Sequence, residues 1–329
     1  MILAAAESSR ENFVSLDVPT WSWGALLGVI VLLLAVDLYR HRDNHEPTQR
    51  EALVESAAWI ATGLAFAGVV AYAWGADAFG EYISGYLIEK SLSVDNVFVW
   101  SMLLTTLAVP LKYQHRVLFW GIFGALVMRA LFIGLGSSLI NRFTFVLVFF
   151  GVFLIYTGAK VIRHRDDEGE SATKIIAFVR RFVPISNTLD GQKFFTKIDG
   201  KRVATPLLAA LVVVEITDVI FAVDSVPAIL AVSREPFLVF SSNAFAILGL
   251  RALYFVLAGA RQRFHYLSHG LGAVLIFVGL KMSIVVWYHV NTFVSLGVIA
   301  VILTAAVVFS ERRHRRLVAA ERGGDELPD

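Results

Sequence analysis

The chain has 329 residues, 57% of them hydrophobic and only 17% charged, with a mean hydropathy of +0.67. That balance excludes an ordinary water-soluble domain of this length and points to a membrane protein. The pI near 8.8 reflects basic residues spread over loops. They show no aromatic interleaving and no binding motif, so no nucleic-acid partner is expected.

Residues 1–20 contain Glu7, Glu11 and Asp17 and no cationic start ahead of an apolar core. They read as an outside N-terminal segment, not as a cleaved signal peptide. Nine apolar segments follow, near 22–38, 54–74, 84–109, 118–137, 143–162, 206–231, 237–259, 270–289 and 292–310. About 20 residues suffice to cross a bilayer. Backbone groups must be satisfied internally in lipid and barrel alternation is missing, so each segment reads as a helix. The expected fold is an all-α polytopic membrane protein with about nine transmembrane helices. Its parts are two helices in 21–83, a first repeat of three in 84–162 and a cytoplasmic loop in 163–205. A second repeat of three occupies 206–289, and a last helix with a cytoplasmic tail occupies 290–329.

Of the 29 lysines and arginines, 21 fall on one side of this layout, and only Arg10, Arg142 and Arg234 fall on the other. The positive-inside rule therefore places the N-terminus outside and the C-terminus in the cytoplasm.

Two acidic strings lie inside apolar stretches: Glu89-Lys90-Ser-Leu-Ser-Val-Asp95-Asn96 and Glu215-Ile-Thr-Asp218-Val-Ile-Phe-Ala-Val-Asp224-Ser225. Asp95 aligns with Asp224, and Glu89 with Asp218, at one offset of 129. Arg129 matches Arg251 at an offset of 122, and Lys160 matches Lys281 at 121 within two similar Gly-flanked segments. Each repeat holds three spans, so the second copy enters from the opposite side, which is a 3+3 inverted repeat.

Six residues on a regular helix turn about 240° and advance about 9 Å. The two acids of each string therefore face different ways. Either the helix breaks between them, or each carboxylate meets groups from another span. Pro227 cannot donate to the carbonyl of Val223, so an opening of the sixth span near Asp224 is expected.

Carboxylates in hydrocarbon are costly unless paired, solvated or bound to a cation. With neutral oxygens nearby, among them Ser225, they suit a hard divalent ion such as Mn²⁺, Ca²⁺ or Mg²⁺. The competing use is ion pairing with Lys90, Arg129, Lys160, Arg251 and Lys281, which read as structural or gating counter-ions. Six span acids face five span bases, and the acids concentrate in two spans, which favours a cation site. With no cysteine, thiolate ligands and redox pairs are excluded. Gly-rich phosphate loops, nucleophile elbows and HExxH strings are also missing, so no enzyme activity and no cofactor are expected.

These strings, with Val226-Pro227 and the stretch Gly191-Gln-Lys-Phe-Phe195 leading to Thr205-Pro-Leu207, resemble the TerC family of integral membrane proteins, including its Alx-type members. The likeness runs from the first span through the ninth. It implies a bacterial inner-membrane protein of the lysine-exporter-like superfamily, associated with manganese export and named for tellurite resistance. The family's motif positions correspond to Glu89, Asp95, Asn96, Glu215, Asp218 and Asp224, with Asp37 a weaker addition. The expected function is secondary transport of a divalent cation through a site on the third and sixth spans, with protons as the coupling ion. Alternatives are a Ca²⁺/H⁺ exchanger, or a non-transporting partner of the secretion machinery that docks through 163–205. Homo-oligomer formation is also open.

Overall fold

A computed structural model describes residues 13–40, 47–107, 109–142, 145–163, 185–186, 189–198, 201–257, 266–284 and 290–324. The first twelve residues of the outside segment and most of the 163–205 loop therefore lie outside the described residues. Helix α1 spans Thr20–Arg40. Helix α2 spans Gln49–Thr106 and starts on a capping box, in which the Thr48 hydroxyl accepts from Glu51 N and the Glu51 carboxylate accepts from Thr48 N.

At 1.5 Å per residue, the 58 residues of α2 would run about 87 Å, nearly three hydrocarbon cores. Gly75 breaks that run, with φ 87° and ψ −174°, a conformation essentially reserved for glycine. The expected spans 54–74 and 84–109 thus share one element that bends between them.

Helices α3 (Leu111–Arg142) and α4 (Phe145–Arg163) follow. The expectation of a purely helical chain needs one correction. Strands β1 (Phe195–Ile198) and β2 (Lys201–Ala204) form an antiparallel hairpin within the expected loop. Gly191, with φ 57°, makes the turn that leads into it. Asp190 accepts from Lys193 at 3.2 Å and from Thr196 at 3.1 Å. Those two hydrogen bonds hold its carboxyl below the usual carboxylate range. Thr205 N donates to Phe194 O at 3.0 Å, and its hydroxyl donates to Lys193 O at 2.7 Å. This fastens the hairpin to the start of helix α5 (Pro206–Leu230), where Pro206 needs no donor. Arg116 closes the other side, donating to Gln192 and lying 5.1 Å from the Phe194 ring centre.

Helix α5 continues through Pro227 to Leu230, so the expected opening beside Asp224 does not occur. Helices α6 (Pro236–Leu248) and α7 (Leu250–Leu257) bend by 42° at Gly249 and take the place of the expected seventh span. A Cβ at Gly249 would stand 2.6 Å from the Trp59 side chain, so close packing on α2 requires glycine at the bend. Helices α8 (Leu267–Ile284) and α9 (Thr292–Gly324) complete the chain. Among the described residues, five helices are long and apolar enough to cross a membrane, or six if the bent pair is one span. The protein is a mostly helical, multi-pass membrane protein.

The most extensive helix pairing is α4 with α8. A Cβ on Gly151 would fall 2.7 Å from Gly279 O, and one on Gly279 would fall 2.6 Å from Gly151 O. Gly158 and Gly272 stand in the same relation, at 2.6 and 2.7 Å. Only glycine lets two backbones approach this closely, which is how helices gain contact where lipid gives no hydrophobic drive. Gly279→Ala or Gly158→Ala is expected to cost about 1–3 kcal/mol, read as a lower unfolding midpoint in detergent. Gly28→Ala, with nothing within 4 Å of the added carbon, is expected to leave the midpoint unchanged.

Candidate functional site

The expected ligands separate into two places. The first is Arg129, on α3, which is almost fully buried. It pairs with Glu89 of α2 and, at 3.3 Å, with Asp218 of α5. Glu89 also accepts from Ser93 at 3.0 Å and from Asn243 of α6 at 3.1 Å. Four helices therefore meet at one buried ion triad. Its two acids occupy matched positions of the two strings, 129 residues apart.

The second place is a cavity of about 70 Å³ lined by Asn96, Asp224 and Ser225. Leu92 and Phe221, with Leu271 and Leu275 of α8, form its apolar wall. Asn96 Nδ2 and Ser225 Oγ are buried with no hydrogen-bond partner among the described residues. Other neutral oxygens of the strings are committed: Ser91 donates to Leu87 O at 2.6 Å and Thr217 to Val213 O at 2.6 Å. Asn96 and Ser225 also stand 129 apart in sequence, so matched positions again meet in space. Thr157 and Lys160 of α4 face Asp224. Helix α5 is unbroken between Asp218 and Asp224, so these two carboxylates meet different neighbours.

The remaining expected ligands fall elsewhere. The backbone of Asp95 is helical, but its side chain lies outside the described residues. Glu215 packs on Gly124, where a Cβ would fall 2.0 Å from Oε1. Asp37 is placed away from the cavity, against Arg251 at 2.6 Å, with Glu55 on the same guanidinium at 3.2 Å. Lys90 donates to Ala246 O at 3.1 Å, near the C-terminal end of α6, where the helix dipole favours a cation.

Glu81 is a buried acid that the sequence reading passed over, because the span was started three residues later. It accepts from Val14 N at 2.8 Å and from Ser233 Oγ at 2.6 Å. Lys281 lies within electrostatic range of it. Asn243 was missed as well. The only signal for either was a polar residue in an apolar run.

Among the described residues, no three His, Cys, Asp or Glu side chains stand close enough to hold a metal ion. The cavity offers one carboxylate, one amide and one hydroxyl. That donor set suits a hard cation that keeps part of its water, and the volume leaves room for water.

Residues 74–317 match the integral membrane protein TerC family. The chain belongs to the TerC family. It is 46% identical over 308 residues to "Uncharacterized membrane protein STKORF319" of Myxococcus xanthus, covering 93% of this chain and 96% of the relative. It is 42% identical over 318 residues to "Putative membrane-bound redox modulator Alx" of Escherichia coli (strain K12), covering 92% and 97%. It is 36% identical over 327 residues to "Tellurium resistance protein TerC" of Serratia marcescens, covering 88% and 94%. No solved structure matches it. The TerC match begins at residue 74, after Asp37 and Glu55, so the acids that balance Arg251 lie outside the matched stretch.

Arg129→Gln would leave Glu89 and Asp218 buried without their cation, at a cost of about 3–5 kcal/mol. The expected result is a large drop in the detergent unfolding midpoint. Adding Asp218→Asn to Arg129→Gln should recover part of the loss, because it removes one of the stranded charges.

Proposed function

We propose that this TerC-family protein is a secondary transporter of hard divalent cations, and that manganese leaving the cytoplasm is its cargo and direction. The observation that carries this reading is the cavity where Asn96, Asp224 and Ser225 meet with the Ser225 hydroxyl unspent. Arg129 and Arg251 already balance Glu89, Asp218, Asp37 and Glu55, which leaves Asp224 without an arginine among the described residues. One carboxylate with neutral oxygens binds a cation weakly enough to release it, as transport requires. Asp95, matched to Asp224, is the second carboxylate this reading assigns to the path. Manganese and export come from the family resemblance.

The reciprocal glycine contacts support a 3+3 inverted repeat. Gly151 matches Gly272 and Gly158 matches Gly279 in sequence, while the contacts run Gly151 to Gly279 and Gly158 to Gly272. Such exchange between two antiparallel helices is what a two-fold axis across them produces. The nine-span reading counts α2 as two crossings and α6 with α7 as one. The inner membrane, an outside N-terminus and a cytoplasmic C-terminus complete it.

The names redox modulator and tellurium resistance fit this chain only indirectly. It has no cysteine, so any redox or tellurite effect would pass through metal supply to other proteins. A Ca²⁺/H⁺ exchanger would use the same oxygens. A non-transporting partner of the secretion machinery would act through the 163–205 loop and need no cavity. No enzyme activity and no bound cofactor belong to this reading.

Liposomes containing a divalent-metal dye provide the test. Asp224→Asn and Asp95→Asn keep side-chain size while removing charge, and each is expected to reduce Mn²⁺ movement at least tenfold at matched protein. Near-normal movement by both would sink the reading, and a wild type that moves no metal would favour the partner.

Topology is tested separately in this cysteine-free background. A cysteine at Asn291, exposed before α9, should react with an impermeant thiol reagent from outside intact cells. One at Lys197 of the hairpin should react only after permeabilisation. Reaction at Lys197 in intact cells would invert the orientation.

A further inference from the structure

Helices α4 and α8 form a matched antiparallel pair, and each carries a lysine at the corresponding position, Lys160 and Lys281. The glycine contacts place Gly279 beside Gly151, so Lys281 stands near the level of residue 149 on α4. That is about 16 Å along the axis from Lys160. The two lysines mark opposite ends of one helix pair, and their surroundings differ.

Lys160 is exposed at the end that holds the cavity, where it faces Asp224. Lys281 is only 3% exposed, and its Nζ has no hydrogen-bond partner among the described residues. Glu81 is near, but its two oxygens already accept from Val14 N and Ser233 Oγ. Among the described residues, the segment after residue 12 lies on Glu81, with Val14 N donating to it. Phe13 is buried under Arg234, and Leu16 N donates to Glu235 at 3.3 Å. The segment 13–16 thus straps the end at which Lys281 lies.

Among the described residues, the charged groups around Lys281 are few. On α2 it is Glu81, and in the connection from α5 to α6 they are Arg234 and Glu235. The charged residues in the described part of α4 are Lys160 and Arg163, at its far end, and the first on α9 is Glu311. On α5, Asp218 is held by Arg129 and Asp224 faces Lys160, while Glu215 packs on Gly124 of α3.

An ammonium buried with no hydrogen bond is costly, whereas a neutral amine is tolerated there. A lysine made wet by opening that end would hold its proton, and one sealed under the strap would release it. Lys281 therefore has a reason to change protonation each time this end opens or closes.

We propose that Lys281 is the proton carrier of the transport cycle. This rests on the transporter reading above. With the strapped end open, Lys281 takes a proton from outside, going from –NH₂ to –NH₃⁺. When that end closes, the proton leaves toward the cavity, which is then the wet side, and –NH₂ is restored. No electrons move. The metal travels against this proton, and Lys160 at the cavity end is the matched residue in its solvated state.

The experiment follows Mn²⁺ and protons together in liposomes holding a metal dye and a pH dye. The wild type is expected to show metal movement with opposed proton movement. Lys281→Gln is expected to keep metal movement down its own gradient, lose at least half of the protons moved per metal, and stop responding to an imposed pH gradient. Lys281→Arg keeps the charge but cannot release a proton, so metal movement should fall at least tenfold while the detergent unfolding midpoint is retained. If Lys281→Gln does not fold, Lys281→Met with Glu81→Gln removes both charges and should show the same uncoupling. An unchanged proton-to-metal ratio in the folded neutral variant would overturn this inference and leave the transporter reading standing. A wild type that moves no metal would overturn both.

Discussion

The pairing of Arg129 with Glu89 and Asp218 is the constraint around which the helices are arranged. A guanidinium cannot shed its charge and cannot be left bare in a low-dielectric interior. It therefore draws acids from α2 and α5 to α3, and Asn243 brings α6 to the same point. Because Arg129 takes both of the matched acids, the matched arginine, Arg251, has neither. It is neutralised instead by Asp37 of α1 and Glu55 of the first half of α2. The N-terminal helices thus complete a charge balance that the repeats leave open. They also lie largely ahead of the stretch that matches the family.

This division of charge also determines which acid is left without an arginine. The acids on Arg129 and Arg251 have their charge balanced by a guanidinium, while Asp224 faces the Thr157 hydroxyl and the Lys160 ammonium. The cavity beside it is walled by leucine and phenylalanine and carries two unspent polar atoms. The glycine seam holds α4 and α8 in direct backbone contact.

Much was legible in the sequence. Hydropathy alone marked a membrane protein built of helices, because a bilayer admits few other structures. The offset of 129 marked Glu89 with Asp218 and Asn96 with Ser225 as matched pairs, and in the structure each pair meets. The periodicity argument that the two acids of a string face different ways agrees with Asp218 meeting Arg129 while Asp224 faces Thr157 and Lys160. What the sequence hid was partnership. Nothing in it distinguishes an acid that will meet Arg129 from one that will meet a cavity, since both sit in similar apolar runs. Glu81 lay just outside the segment taken as a span, and its partners, Val14 and Ser233, are 67 and 152 residues away.

The sequence by itself determined the membrane class, the family and the list of chemically expensive residues, because local composition and spacing carry that information. The tertiary structure alone decided which acids are spent on arginines, that Pro227 leaves its helix intact, that Gly75 divides a 58-residue helix, and that Lys281 lies sealed while Lys160 is exposed. Those outcomes depend on which helices become neighbours, and a buried charge takes its meaning from the group that packing places beside it.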